Sequence, residues 1–73
     1  MVIRRRVIAR KLLDILVASL YADRIPRAMG WRIADMYQTG ELWGVEGFKL
    51  LKKACMMVEP DKTVMVLRTG RDA

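Results

Sequence analysis

Apolar side chains recur at helical spacing along most of the chain. Ile8, Ala9, Leu12, Leu13, Ile15, Leu16, Val17 and Leu20 gather on one broad face of a helical wheel, with Arg10, Lys11 and Asp14 opposite. The spacing predicts a first helix over 3–22, and a face this wide calls for packing from more than one side. The same wheel turns Arg5 and Arg6 toward the apolar side. Burying an unpaired guanidinium costs on the order of several kcal/mol, so the stripe has to leave the core before it reaches them. Residues 1–6 are therefore expected to be a projecting basic end. Either the helix runs past the body of the protein, or its first residues leave helical geometry.

Tyr21 to Arg27 interrupts the pattern, and Pro26, with fixed φ and no donor, fits the first position of a new helix. Met29, Ile33, Met36 and Tyr37 then recur at helical spacing up to Gly40, a natural terminator, predicting a helix over 26–39. Gly30 weakens its first turn by roughly 1 kcal/mol relative to alanine, so that turn is expected to be irregular. Thr39 to Gly47 reads either as a loop that exposes Leu42 and Trp43, or as the start of a long helix whose glycines allow close backbone approach. Three glycines inside a helix would cost roughly 2 to 3 kcal/mol, which favours the loop.

From Val45 a third helix over 45–58 is expected. Val45, Phe48, Leu51, Cys55 and Val58 form its buried stripe, Leu50, Ala54 and Met57 widen it, and Glu46, Lys49, Lys52 and Lys53 lie outside. Pro60 stops this helix by pushing the preceding residue out of helical geometry. Over 60–69, Val64 to Leu67 have strand propensity, but Glu59, Pro60 and Asp61 suit a helix start, Arg68 a last turn and Gly70 a cap, so a short fourth helix is predicted. A strand there would have to pair outside this chain. The fold expected is all-α: a small compact bundle of three to four helices in a single domain over 1–73.

Composition adds constraints. At 73 residues a single core is marginal, and with one cysteine, Cys55, and no histidine neither an internal disulfide nor an ordinary zinc site is available. No metal and no cofactor are expected. A hydrophobic fraction of 53% is large for so small a body, so part of the apolar surface is expected to meet a protein partner. Trp31 and Trp43 stand beside glycines near turns, where a large ring either caps the edge of the core or anchors a protein interface. The six methionines read mainly as core filler, with Met29 and Met36 facing inward and Met56 and Met57 adjoining in the third helix. The run from Leu12 to Ala22 is shorter and more broken than the about 20 apolar residues of a membrane span, so no membrane partner and a cytoplasmic location are expected. Removing the arginine-rich start as a transit peptide would leave too little chain for a comfortable core. The absence of asparagine beside abundant charge is a thermophile-like bias.

Charge speaks most directly to function. The net charge is +6, and it is distributed unevenly: residues 1–11 carry five cations and no anion, 12–48 carry three cations and five anions, and 49–73 carry six cations and three anions. Acid–base chemistry most often uses histidine, the eight carboxylates are scattered, Cys55 has no partner base, and no glycine pattern leads into a phosphate-cradling loop, so the chain is not expected to be an enzyme. Arg4, Arg5, Arg6, Arg10 and Lys11 form one basic cluster, Lys49, Lys52 and Lys53 a second, and Arg68 and Arg71 a third. Arginine's planar fork suits phosphate and stacks on bases. The leading expectation is a small basic accessory subunit of a nucleoprotein assembly, a ribosomal protein for instance, binding structured RNA such as ribosomal RNA through phosphate contacts, with RNA ahead of DNA. One alternative is a helical accessory subunit docking on a larger protein such as a polymerase through Trp31 and Trp43. Another is a helix-turn-helix DNA-binding protein reading with Lys49, Lys52 and Lys53, although that helix lacks the Asn, Gln, Ser or Thr residues that commonly contact base edges.

Overall fold

The helical periodicity is realised as α1 (Val2–Ser19), α2 (Arg27–Thr39), α3 (Val45–Val58) and α4 (Pro60–Thr69), with a 3₁₀ turn, Glu41–Trp43, between α2 and α3. The computed structural model describes the backbone of residues 2–19 and 24–70 and the side chains of 5–18 and 24–70. No strand occurs among the described residues. The all-α bundle is thus as the pattern requires, and residues 20–22 of the expected first helix lie outside the described residues.

The boundaries follow local chemistry. Pro26 is the residue before α2 rather than its first member, with extended ψ of 137°. Its carbonyl accepts from the N–H groups of both Met29 (2.9 Å) and Gly30 (3.1 Å), which tightens the first turn. Gly40 closes α2 in the left-handed conformation, φ 87°, where a residue with a Cβ would pay roughly 1–2 kcal/mol. Glu59 breaks the path between α3 and α4, Pro60 opens α4, and Gly70 ends it, its N–H donating to the Val66 carbonyl at 2.7 Å. The four residues with strand propensity therefore sit inside a capped helix.

α3 lies at the centre, packing on α1, α2, α4 and the 3₁₀ turn. Its Leu51, Ala54 and Cys55 meet Ala9 and Leu12 of α1, Ile33 and Met36 of α2, Leu42 of the turn and Val66 of α4. The Cα envelope is only 16 Å in its shortest direction, about two helix layers thick. In two layers a helix flank often has no neighbour to face. Val17 is 64% exposed for that reason, and Val45, Met56, Met57 and Tyr37 are also exposed. The wheel had placed Val17, Val45 and Met57 within buried stripes, Met56 and Met57 among core methionines, and Tyr37 on the inward face of the second helix. The stripes are narrower than the run of apolar residues.

Leu42 corrects the expectation in the other direction. As part of a loop it was expected to be exposed, but it is fully buried. The αL turn at Gly40 and the 3₁₀ turn fold it under α3, and Gly47 makes the approach possible: a Cβ there would fall on the Leu42 backbone. Gly47 is accordingly within α3 and not in the loop, which ends at Gly44. The loop reading holds for Gly40 to Gly44; no helix starts at Thr39, but the close backbone approach that the helix reading called for is found at Gly47.

Few polar groups enter the interior. Thr63 is fully buried and donates its hydroxyl to the Glu59 carbonyl at 2.7 Å. The Cys55 thiol is buried and donates to the Leu12 carbonyl at 3.1 Å, joining α3 to α1. Loss of solvent pushes its pKa from 9.0 up to about 12, partly offset by contact with the Thr63 hydroxyl. A thiol held protonated is a poor nucleophile.

Candidate nucleic-acid interface

α1 remains helical through Arg5 and Arg6, so of the two routes by which the arginines could avoid the core it takes the continuous helix. Both side chains are exposed. Ala9 is the first buried residue of the described part of α1, and Ile8 packs partly against the core just before it. Among the described residues Arg5 has no ion pair. Arg6 has a different partner: its guanidinium carbon lies 5.4 Å from the centre of the Trp43 ring, within the range of a cation–π contact.

Trp43 is positioned from two sides. The 3₁₀ turn fixes its backbone, with the Trp43 N–H donating to the Gly40 carbonyl at 3.3 Å and the Gly44 N–H to the Glu41 carbonyl at 3.0 Å. Thr39 steadies the turn's entry, its hydroxyl accepting from the Glu41 N–H at 3.3 Å and donating to the Glu41 carboxylate at 3.1 Å. The half-buried indole packs against the core. Tyr37 meets it edge to face, 6.2 Å between ring centres and 69° between planes. Arg6, Trp43 and Tyr37 therefore form one cationic and aromatic corner drawn from α1, the turn and α2. In this corner the guanidinium covers the indole, so the surface on which a nucleobase could stack is the outer face of the guanidinium plane beside Tyr37.

The other basic residues are distributed as follows. Arg10 is exposed and approaches Asp14 at 3.9 Å, a long pairing one helical turn apart; exposed pairs of this type contribute about 0–1 kcal/mol. Lys11 is half-buried. On α3, Lys49 lies 3.8 Å from the Glu46 carboxylate and Lys52 lies over the Phe48 ring at 5.8 Å, while Lys53 is exposed. Arg68 is exposed in the last turn of α4. Arg71 and the side chain of Arg4 lie outside the described residues. The two tryptophans differ: Trp43 caps the core edge, whereas Trp31 is 71% exposed on α2.

Two side chains have neighbours that helical spacing does not reveal. Tyr37 looks like a core residue by spacing, and only the placement of the 3₁₀ turn brings Trp43 to it. Arg32 is exposed on α2 and lines a cleft with Glu46, Lys49, Leu50 and Lys53 of α3, a neighbourhood that no spacing within α2 reveals. The two shared a weak signal, since each is a large polar-tipped side chain at the flank of an apolar stripe.

An apolar groove of about 640 Å³ opens between α1 and α2, with Leu13, Leu16, Val17, Ile25 and Ile33 in its walls. Among the described residues no group of three or more Cys, Asp or Glu side chains is placed to hold a metal ion. No helix formed by the described residues is long and apolar enough to cross a membrane. Comparison of the chain with known protein families, curated proteins and solved structures finds no match.

Proposed function

We propose that this chain is a small, non-enzymatic, basic subunit of a nucleoprotein assembly that binds structured RNA through arginine and lysine contacts to phosphate. The observation that carries the reading is the end of α1: Arg5 and Arg6 are exposed on a continuous helix, Arg5 without an ion pair among the described residues and Arg6 over Trp43 beside Tyr37. A merely solubilising face has no need of an aromatic platform under its cation. Phosphates would be met by the forked guanidinium groups, and an unpaired base would stack at the corner. The lysines of α3 and Arg68 would add point charges that orient the strand without reading its sequence.

Phosphate contacts release counterions, so affinity for a structured RNA should fall steeply with salt, by on the order of a hundredfold or more between 50 and 200 mM for five or six contacts. Equilibrium binding of the purified chain to a labelled stem-loop measures this directly. Affinity that is flat with salt, or no binding even at low salt, would sink the reading. Trp31 supports a second reading, docking on a larger protein, because a large apolar ring lies exposed on a helix. Copurification of one stable protein partner after nuclease treatment would favour that reading over RNA.

A further inference from the structure

Arg32 of α2 shares a cleft with the lysines of α3. The cleft has a volume of about 200 Å³ and is lined by Arg32, Glu46, Lys49, Leu50 and Lys53. Three cations and one carboxylate around so small a space leave a net charge of +2. Like charges that line one cleft from two helices raise its positive potential, which a bound anion lowers. Among the described residues neither Arg32 nor Lys53 has an ion pair, and the carboxylate of Glu46 approaches Lys49 at 3.8 Å, a long, exposed contact. The donors are of the two kinds that suit a tetrahedral oxyanion: one planar guanidinium fork for two oxygens, and two ammonium groups as point charges. The volume accommodates one such group with its waters.

We infer that this cleft is a phosphate site, that it takes one phosphodiester group of a bound RNA strand, and that Glu46 sets its affinity by competing with the phosphate for Lys49. The inference rests on the RNA reading for the source of the phosphate, while the chemistry of the cleft stands apart from it. Arg32 thereby becomes a binding residue, and α2 gains a part in the interface alongside α1 and α3.

The test has two arms, each run on the full chain with Arg32→Gln, Lys53→Gln and Glu46→Gln variants whose melting temperatures match the parent. In the first arm, inorganic phosphate alone is titrated while NMR follows the Arg32 side-chain N–H and the amides of 49–53. Saturable shifts confined to the cleft are expected, abolished by Arg32→Gln and tightened about threefold by Glu46→Gln. Shifts spread evenly over all basic residues, or a Glu46→Gln variant that binds phosphate no better, overturn the site. In the second arm, RNA binding is measured against salt. The Arg32→Gln, Lys53→Gln double variant should lower the slope of log affinity on log salt by about 0.7–0.9, the value for one phosphate contact, and each single variant by a part of that. If RNA binds the parent and none of these variants changes the slope, the assignment to an RNA strand is overturned while the RNA reading survives. If the parent binds no RNA, that reading fails together with the RNA assignment, and the phosphate arm alone decides whether the cleft takes the free anion.

Discussion

α1 carries one helical stripe with two fates. Leu12 is fully buried against α3, and Arg5, seven residues earlier and in the same phase, is exposed; Ala9 is buried, and Arg6, three residues earlier, lies over Trp43. Phase decides which way a side chain points. The reach of the neighbouring helix decides whether that direction is interior. Along the packed part, small residues allow close contact: Ala9 and Ala54 are both in the core, the Cys55 thiol reaches the Leu12 carbonyl, and Gly47 admits the Leu42 backbone. At the arginine end Trp43, at the edge of the core, is covered by a cation and not by another apolar side chain.

The contrast is sharpest where the fit is tightest. Gly47→Val should be the most damaging substitution, because the new side chain has to displace the Leu42 backbone; a cost of about 3 kcal/mol or more is expected, a large share of what a domain of this size possesses. Chemical denaturation monitored by circular dichroism measures it, and a variant as stable as the parent would mean that the 3₁₀ turn does not pack on α3 as described. Leu12→Ala should follow at about 2–5 kcal/mol. Arg5→Ala, in the same helical phase, should change stability by no more than about 0.5 kcal/mol. Equal losses at the two positions would erase the distinction between the buried and basic parts of α1.

An effect confined to alkaline solution is expected from pH. The folded Cys55 thiol keeps its proton to about pH 12, whereas in the unfolded chain it ionises near its ordinary value of 9.0. Between those values the folded state holds more protons, so the contribution of Cys55 to stability is fully present below pH 9 and is lost as pH rises toward 12. Relative to Cys55→Ala, the parent should lose stability more steeply over that interval. The thiol should also resist iodoacetamide at neutral pH unless denaturant is present. Rapid alkylation of the native protein would contradict its burial and its bond to Leu12.

Much of the architecture was legible in the sequence because helix boundaries are local. Gly40, Pro60 and Gly70 act through their own backbones, and the helices they delimit are found where spacing predicts them. Burial was harder to read. A wheel knows only the phase of Val17, Val45 and Met57, and nothing within one helix says that no neighbour stands opposite them. Leu42 was misread for the complementary reason: a glycine-rich stretch resembles a surface loop, and the residue that draws it inward, Gly47, belongs to the next helix. The candidate interface divides the same way. The arginines of α1 announce themselves by charge and phase, whereas Tyr37 meets Trp43 only through the path of the turn that follows it, and Arg32 acquires its surroundings from α3.

The most direct test joins the arginine end to RNA. In an Arg5→Gln, Arg6→Gln double variant, the slope of log affinity on log salt for a structured RNA should fall by about 1.4–1.8, the loss of two phosphate contacts, while the melting temperature stays within a few degrees of the parent. An unchanged slope with wild-type affinity would contradict the role assigned to these arginines.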